Sequence, residues 1–115
     1  MSGSEINYSY GHTVTAPAGS SGEYSLLTVT AAKRLVVKRV TVHFPAGSGY
    51  YLQIAILRGA EQVIPDGGYL VGDDSTIVVE REQEFLSGEE VKVYYNNTDA
   101  ANEHSCFILI EGVRE

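Results

Sequence analysis

Three observations predict an all-β fold, an antiparallel β-sandwich of about eight strands with a jelly roll as first choice. Short runs rich in Val, Ile, Leu, Tyr and Thr carry apolar residues at alternate positions. Clusters of Gly, Pro, Asp and Asn separate these runs at the spacing of about 8 to 12 residues typical of sandwiches and barrels. Helical periodicity is almost absent. A chain of 115 residues, 43 % of them hydrophobic and 12 of them glycine, is long enough to bury one core and too short for two. An immunoglobulin-like sandwich is the nearest rival, but its disulfide and its buried tryptophan have no counterpart here. A small barrel is a further option, and the lack of an internal repeat argues against propellers and β-helices.

The elements follow in order. Residues 1–11, with Tyr8 and Tyr10 in an alternating Asn-Tyr-Ser-Tyr pattern, are expected to form a flexible or swapped N-terminal arm, ahead of a single sandwich domain over 12–115. His12 to Thr15 is a first strand, residues 16–22 a loop, and Tyr24 to Thr30 a strand. Leu35 to Phe44 is the clearest strand, with Val36, Val40, Val42 and Phe44 on one parity interrupted by Lys38. Pro45 to Gly49 breaks it, and Tyr51 to Arg58 resumes with Leu52, Ile54 and Ile56 in step, as its expected sequential partner. Gln62 to Ile64 is a short strand, 65–68 a tight turn, and Tyr69 to Val71 leads on to a further turn at 72–75. Thr76 to Glu80 carries Ile77 and Val79, Arg81 to Gln83 is polar, and Glu84 to Leu86 leads into a turn. Glu90 to Tyr95 points Val91, Val93 and Tyr95 inward. Ser105 to Glu111, apolar on both parities, reads as a central strand.

Composition narrows function. Fifteen acids against eight bases give a net charge of −7, which repels a phosphate backbone and argues against nucleic acid as a partner. Half of the bases lie together in Lys33, Arg34, Lys38 and Arg39, a local patch able to steer an acidic partner or to serve as a solvated strand face. No run approaches the roughly 20 apolar residues of a membrane-spanning helix, and residues 1–5 lack the charge and hydropathy of a signal peptide. A membrane is therefore not an expected partner. Cys106, the single cysteine, sits in an apolar run and reads as a buried inert thiol. The Asn96-Asn97-Thr98 sequon reads as a turn.

No catalytic set emerges, and neither enzymatic activity nor a cofactor is expected. His12, His43 and His104 show no ligand spacing. Serines and aspartates are plentiful, but there is no strand-to-helix elbow to hold a nucleophile. Asp66, Asp73 and Asp74 lie in glycine-rich turns whose spacing does not match a calcium loop, and Asx turns explain them more simply. Glu80, Glu82 and Glu84 share one parity of an extended segment, which suits an edge protected from aggregation. Eight tyrosines without a tryptophan are the compositional oddity, since tyrosine couples apolar area to a hydroxyl at low entropic cost. Tyr8, Tyr10, Tyr50, Tyr51 and Tyr69, with Arg34 and Arg39, are the candidate interface residues.

The stretch Val40 to Gly47, then Leu52 to Gly59, Gln62 to Pro65 and Gly67 to Asp73 resembles small β-sandwich proteins of tailed phages and thermophile viruses. A late Asn-Asp-His element, here Asn97, Asp99 and His104, precedes the last strand in the same way. The resemblance implies a virion structural or capsid-decorating protein and carries no defined site residues. On that basis the first expectation is a non-catalytic assembly protein binding a capsid or itself, as a homo-oligomer such as a trimer, located in the virion if viral and otherwise in the cytoplasm. The alternative is a carbohydrate-binding module whose tyrosines stack on sugars beside Asp, Asn or Gln. A histidine metalloenzyme ranks last.

Overall fold

The computed structural model describes residues 6–30 and 33–114. Eight strands follow one another: β1 (Ile6–Ala16), β2 (Ser21–Thr28), β3 (Leu35–Phe44), β4 (Leu52–Arg58), β5 (Glu61–Ile64), β6 (Ser75–Phe85), β7 (Glu90–Asn97) and β8 (His104–Arg114). They form two four-stranded sheets, ordered β1-β8-β3-β6 and β2-β7-β4-β5, with every adjacent pair antiparallel. Apart from β4 and β5, each strand is followed by one in the other sheet. That is the double Greek key of a jelly roll.

The alternation that predicts strands also builds the core. Phe44, Phe85, Leu52, Ile54, Ile108 and Ile110 are fully buried between the sheets. Truncating either phenylalanine to alanine would cost about 3–5 kcal/mol, because the site cannot close around the void.

Several details differ from the sequence reading. Tyr51 to Arg58 does not pair with Leu35 to Phe44. β3 and β4 lie in opposite sheets, and the seven-position stretch 45–51 crosses between them, so their apolar rows meet through the core. In β3 the register shifts between Val37 and Arg39. Leu35 and Val37 are buried before this bulge and Val40, Val42 and Phe44 after it, while Val36 and Lys38 face outward. One extra residue flips the parity, so Lys38 interrupts nothing.

β6 runs unbroken through Arg81 to Gln83. As an edge strand it can hold polar side chains on its half-buried inner row. Tyr69 to Val71 contributes a single bridge, Ile54 to Leu70.

The boundary drawn at residue 11 has no counterpart in the described chain. Ile6 to Gly11 is the first half of β1, paired in constant register with β8 from Ile6 opposite Arg114 to Ala16 opposite His104. Tyr8 and Tyr10 pack against the core, so burial of their rings continues the strand. Residues 1–5 of the expected arm lie outside the described residues.

Candidate interaction surfaces

The loops 17–20, 45–51, 65–74 and 98–103 gather at one pole of the sandwich and are tied in series. Gly19 N–H donates to Asp99 O at 2.8 Å, Thr98 N–H and Oγ1 both donate to Tyr51 O at 2.9 Å, and Gly47 N–H donates to the Asp73 carboxylate at 2.9 Å. At the centre Asn97, 1 % exposed, donates from Nδ2 to the carbonyls of Ala16, Pro17 and Asn102 at 3.1, 3.2 and 2.9 Å. Its Oδ1 accepts from Asp99 N–H at 3.0 Å. Asp99 in turn accepts from Ala101 N–H, from Asn102 N–H and Nδ2, and from His104 Nε2 at 2.8 Å. The Asn-Asp-His element is thus one connected network that shapes the 98–103 loop.

Hydrogen bonds from His104 first, then from Ala101 and Asn102, hold the Asp99 carboxyl down at about 2. A carboxylate depressed in the folded state stabilises it fully above the unfolded value near 3.8, and that contribution disappears as pH falls toward 2. Acid titration followed by circular dichroism should therefore show wild-type stability falling between pH 4 and 2. An Asp99→Asn variant should fall less steeply across that window.

Two tyrosines crown this pole. Tyr51, 45 % exposed, stacks on His104 with ring centroids 5.5 Å apart. Tyr50, 63 % exposed, has φ 64°, a left-handed backbone that costs a bulky L-residue about 1–2 kcal/mol. Tyr69 also belongs to this end, but its ring stacks at 5.5 Å on Tyr94 of β7, on the outer face of the second sheet. Burial, reinforced by Tyr69, raises the Tyr94 hydroxyl pKa. Two residue pairs along the β4–β7 ladder, on the same face, Asn96 Nδ2 donates to Gln53 Oε1 at 3.0 Å.

Tyr8 lies toward the opposite pole, where the Arg114 guanidinium sits 5.5 Å above its ring. Tyr10 stacks with His12 on the inner row of β1. The sequence candidates therefore divide: Tyr50 and Tyr51 share the 45–51 loop at the pole, Tyr69 stacks on Tyr94 at the outer face of the second sheet, and Tyr8 and Tyr10 belong to the β1 edge.

The basic segment and the acidic run face each other across β3 and β6. Arg34 pairs with Glu84 at 2.7 Å and Lys38 with Glu82 at 3.5 Å, while Arg39 lies 3.7 Å from Glu111 of β8. Such exposed pairs contribute only about 0–1 kcal/mol each. They do relieve the repulsion that three glutamates on one row would otherwise suffer. Arg34 and Arg39 thus already have acidic neighbours within the chain.

The remaining polar groups hold loops. Asp66 pairs with Arg81, and Ser48 Oγ donates to Pro45 O at 2.7 Å. His43 Nδ1 meets Thr76 Oγ1 at 2.9 Å. Among the described residues no three His, Cys, Asp or Glu side chains converge as metal ligands. Cys106 is 2 % exposed and burial pushes its thiol up to about 12, which keeps it protonated and unreactive. On the outer face of the first sheet Val78 is 51 % exposed, with β3 between it and Phe107, and sequence reasoning missed the outward exposure of Phe107, 43 %. The two-parity apolar pattern of β8 was its signal. β8 is indeed flanked on both sides, but its outer face is not covered.

No protein family and no curated protein matches the chain, whereas solved structures share its fold. A chain of the Sulfolobus turreted icosahedral virus aligns with a TM-score of 0.61 at 13 % identity, over 96 % of this chain and 30 % of that one. A chain from the acid-stable capsid of the Helicobacter pylori bacteriophage KHP30 aligns at 0.56 with 12 % identity, over 96 % and 98 %. An archaeal virus protein described as a triple jelly roll with turret assembly aligns at 0.57 with 10 % identity, again over 96 % and 30 %. The class defined is an eight-stranded jelly roll of one unit. It spans about a third of the length of the two archaeal virus chains and nearly all of the phage chain.

Proposed function

We propose that this chain is a non-catalytic structural protein of a virion, a decoration-type accessory that docks on a capsid through its tyrosine-bearing pole and associates with further copies of itself. The observation that carries the reading is the end-to-end likeness to the KHP30 capsid chain, 96 % of this chain on 98 % of that one. A jelly roll of this size thus makes up nearly all of a chain in that phage capsid structure. The pole supports it independently. An exposed aromatic kept in a costly left-handed backbone, where glycine would sit without strain, is the kind of local expense found at binding surfaces. Asp99, His104 and Asn97 fix the neighbouring loop, so Tyr51 is presented in one orientation, which lowers the entropy lost on docking.

The test is mass spectrometry of gradient-purified particles from the chain's source, which should contain it in stoichiometric amount. A Tyr50→Gly chain should be stabilised by about 1 kcal/mol, through relief of the strained backbone, and yet bind particles more weakly. Particles free of the chain would sink the proposal.

The carbohydrate reading retains one specific support: the Tyr69–Tyr94 pair lies beside the Asn96–Gln53 amide pair on one sheet face. Glycan-array binding abolished by Tyr69→Ala would favour it.

A further inference from the structure

Each sheet of a sandwich ends in two edge strands, and natural proteins protect such edges from pairing with other chains. Three of the four edges here are protected. β5 has only four residues and ends at Pro65. β2 is bulged between Ser25 and Leu27 and carries an exposed Glu23. β6 turns Arg81 and Gln83 toward the core side and bears Glu80, Glu82 and Glu84 on its outer row, so two β6 edges would bring like charges together.

β1 has none of these devices. It extends over 11 residues, Ile6 to Ala16, without Asp, Glu, Lys, Arg or Pro, and its register against β8 is unbroken. Among the described residues only β8 pairs with it.

We infer that β1 is a self-association edge, pairing antiparallel with β1 of a second copy about a two-fold axis to join the two first sheets into one. This deepens the assembly reading of function by naming the surface through which copies meet. The pairing must keep inward side chains on one face, so even positions face even ones. Centring on Gly11 satisfies that rule and places Tyr10 opposite His12 of the second copy, extending the parallel ring stack already present within each strand. On the outer row Ser9 then faces Thr13 of the second copy, both small, exposed and uncharged. The Phe107 ring fills the space above Gly11, where a Cβ would come within 2.6 Å, so an aromatic from each copy covers the seam. A closed two-fold contact of this kind stops at two copies. Because the strands run oppositely, the pair carries a tyrosine pole at each end.

Light scattering on the purified full chain at about 0.1 mM should give twice the chain mass. The variant Ser9→Lys/Thr13→Lys opposes two lysine pairs across the seam and should be monomeric, with unchanged circular dichroism. Ser9→Lys/Thr13→Glu, which opposes lysine to glutamate in the same register, should restore the dimer. A monomeric or trimeric wild type, or a lysine variant that remains dimeric, overturns the inference. Such a result leaves the virion reading intact, because that reading is decided by the content of particles.

Discussion

Replacing Asn97 with alanine is expected to lower the free energy of unfolding by about 3 kcal/mol in urea titration, at unchanged m-value. The side chain is buried and satisfies three carbonyls and one N–H. Each buried polar group left without a partner costs about 1–3 kcal/mol, and water entering the small space recovers part of that. Asn97→Asp should be worse than the alanine variant, although it is nearly isosteric. A carboxylate has no N–H to give, and here it would point at the oxygens of Ala16, Pro17 and Asn102. Retained stability in the aspartate variant would mean that the amide is not what holds the loops. The damage should be local in its first effects: hydrogen exchange should rise in 98–103 and 17–20 before it rises in β3 or β8.

The second large effect is expected at Gly112, where β8 crosses the bulge of β3. A Cβ there would lie 2.1 Å from the Val36 carbonyl oxygen and 3.0 Å from the Val37 Cα. Those atoms are backbone and cannot rotate away, so β3 and β8 must part. Gly112→Ala should cost about 3 kcal/mol, at the upper end of overpacking penalties, and Gly112→Val should prevent folding. Gly67→Ala is the control, since nothing lies within 4 Å of its added carbon, and its effect should stay within about 0.5 kcal/mol.

These two sites also show where sequence reasoning reaches its limit. Alternation is a local property, so the strands, the inward row of β7 and the protective charge of the β6 edge could be read from runs of a few residues. The bulge at Lys38 could not, because it depends on which residues of β6 and β8 lie opposite. Pairing is equally non-local. The partners of β3 proved to be β6 and β8, not the next strand, since a jelly roll sends successive strands to opposite sheets.

At the pole, the hydrogen bond from Asn97 to Ala16 joins positions 81 apart. Asn97, Asp99 and His104 were noticed as a phrase, yet nothing in the chain announced that they would interlock. The tyrosines divided for the same reason. Aromatic content marks residues suited to interfaces, while topology decides which of them share a surface.

Ile6 and Arg114 face each other across the β1–β8 ladder, and both lie away from Tyr50 and Tyr51. Adjacent positions of this kind can be bridged by a short glycine linker, and new ends can then be opened in the 65–74 loop. Conversely, a fluorescent protein or peptide cargo grafted at either point would project from the far side of the molecule. On a single copy the aromatic cap stays clear, whereas in the proposed two-fold pair Ile6 faces Ala16 of the second copy, so cargo beside Ile6 would stand next to that copy's tyrosine pole and block the pairing or the cap.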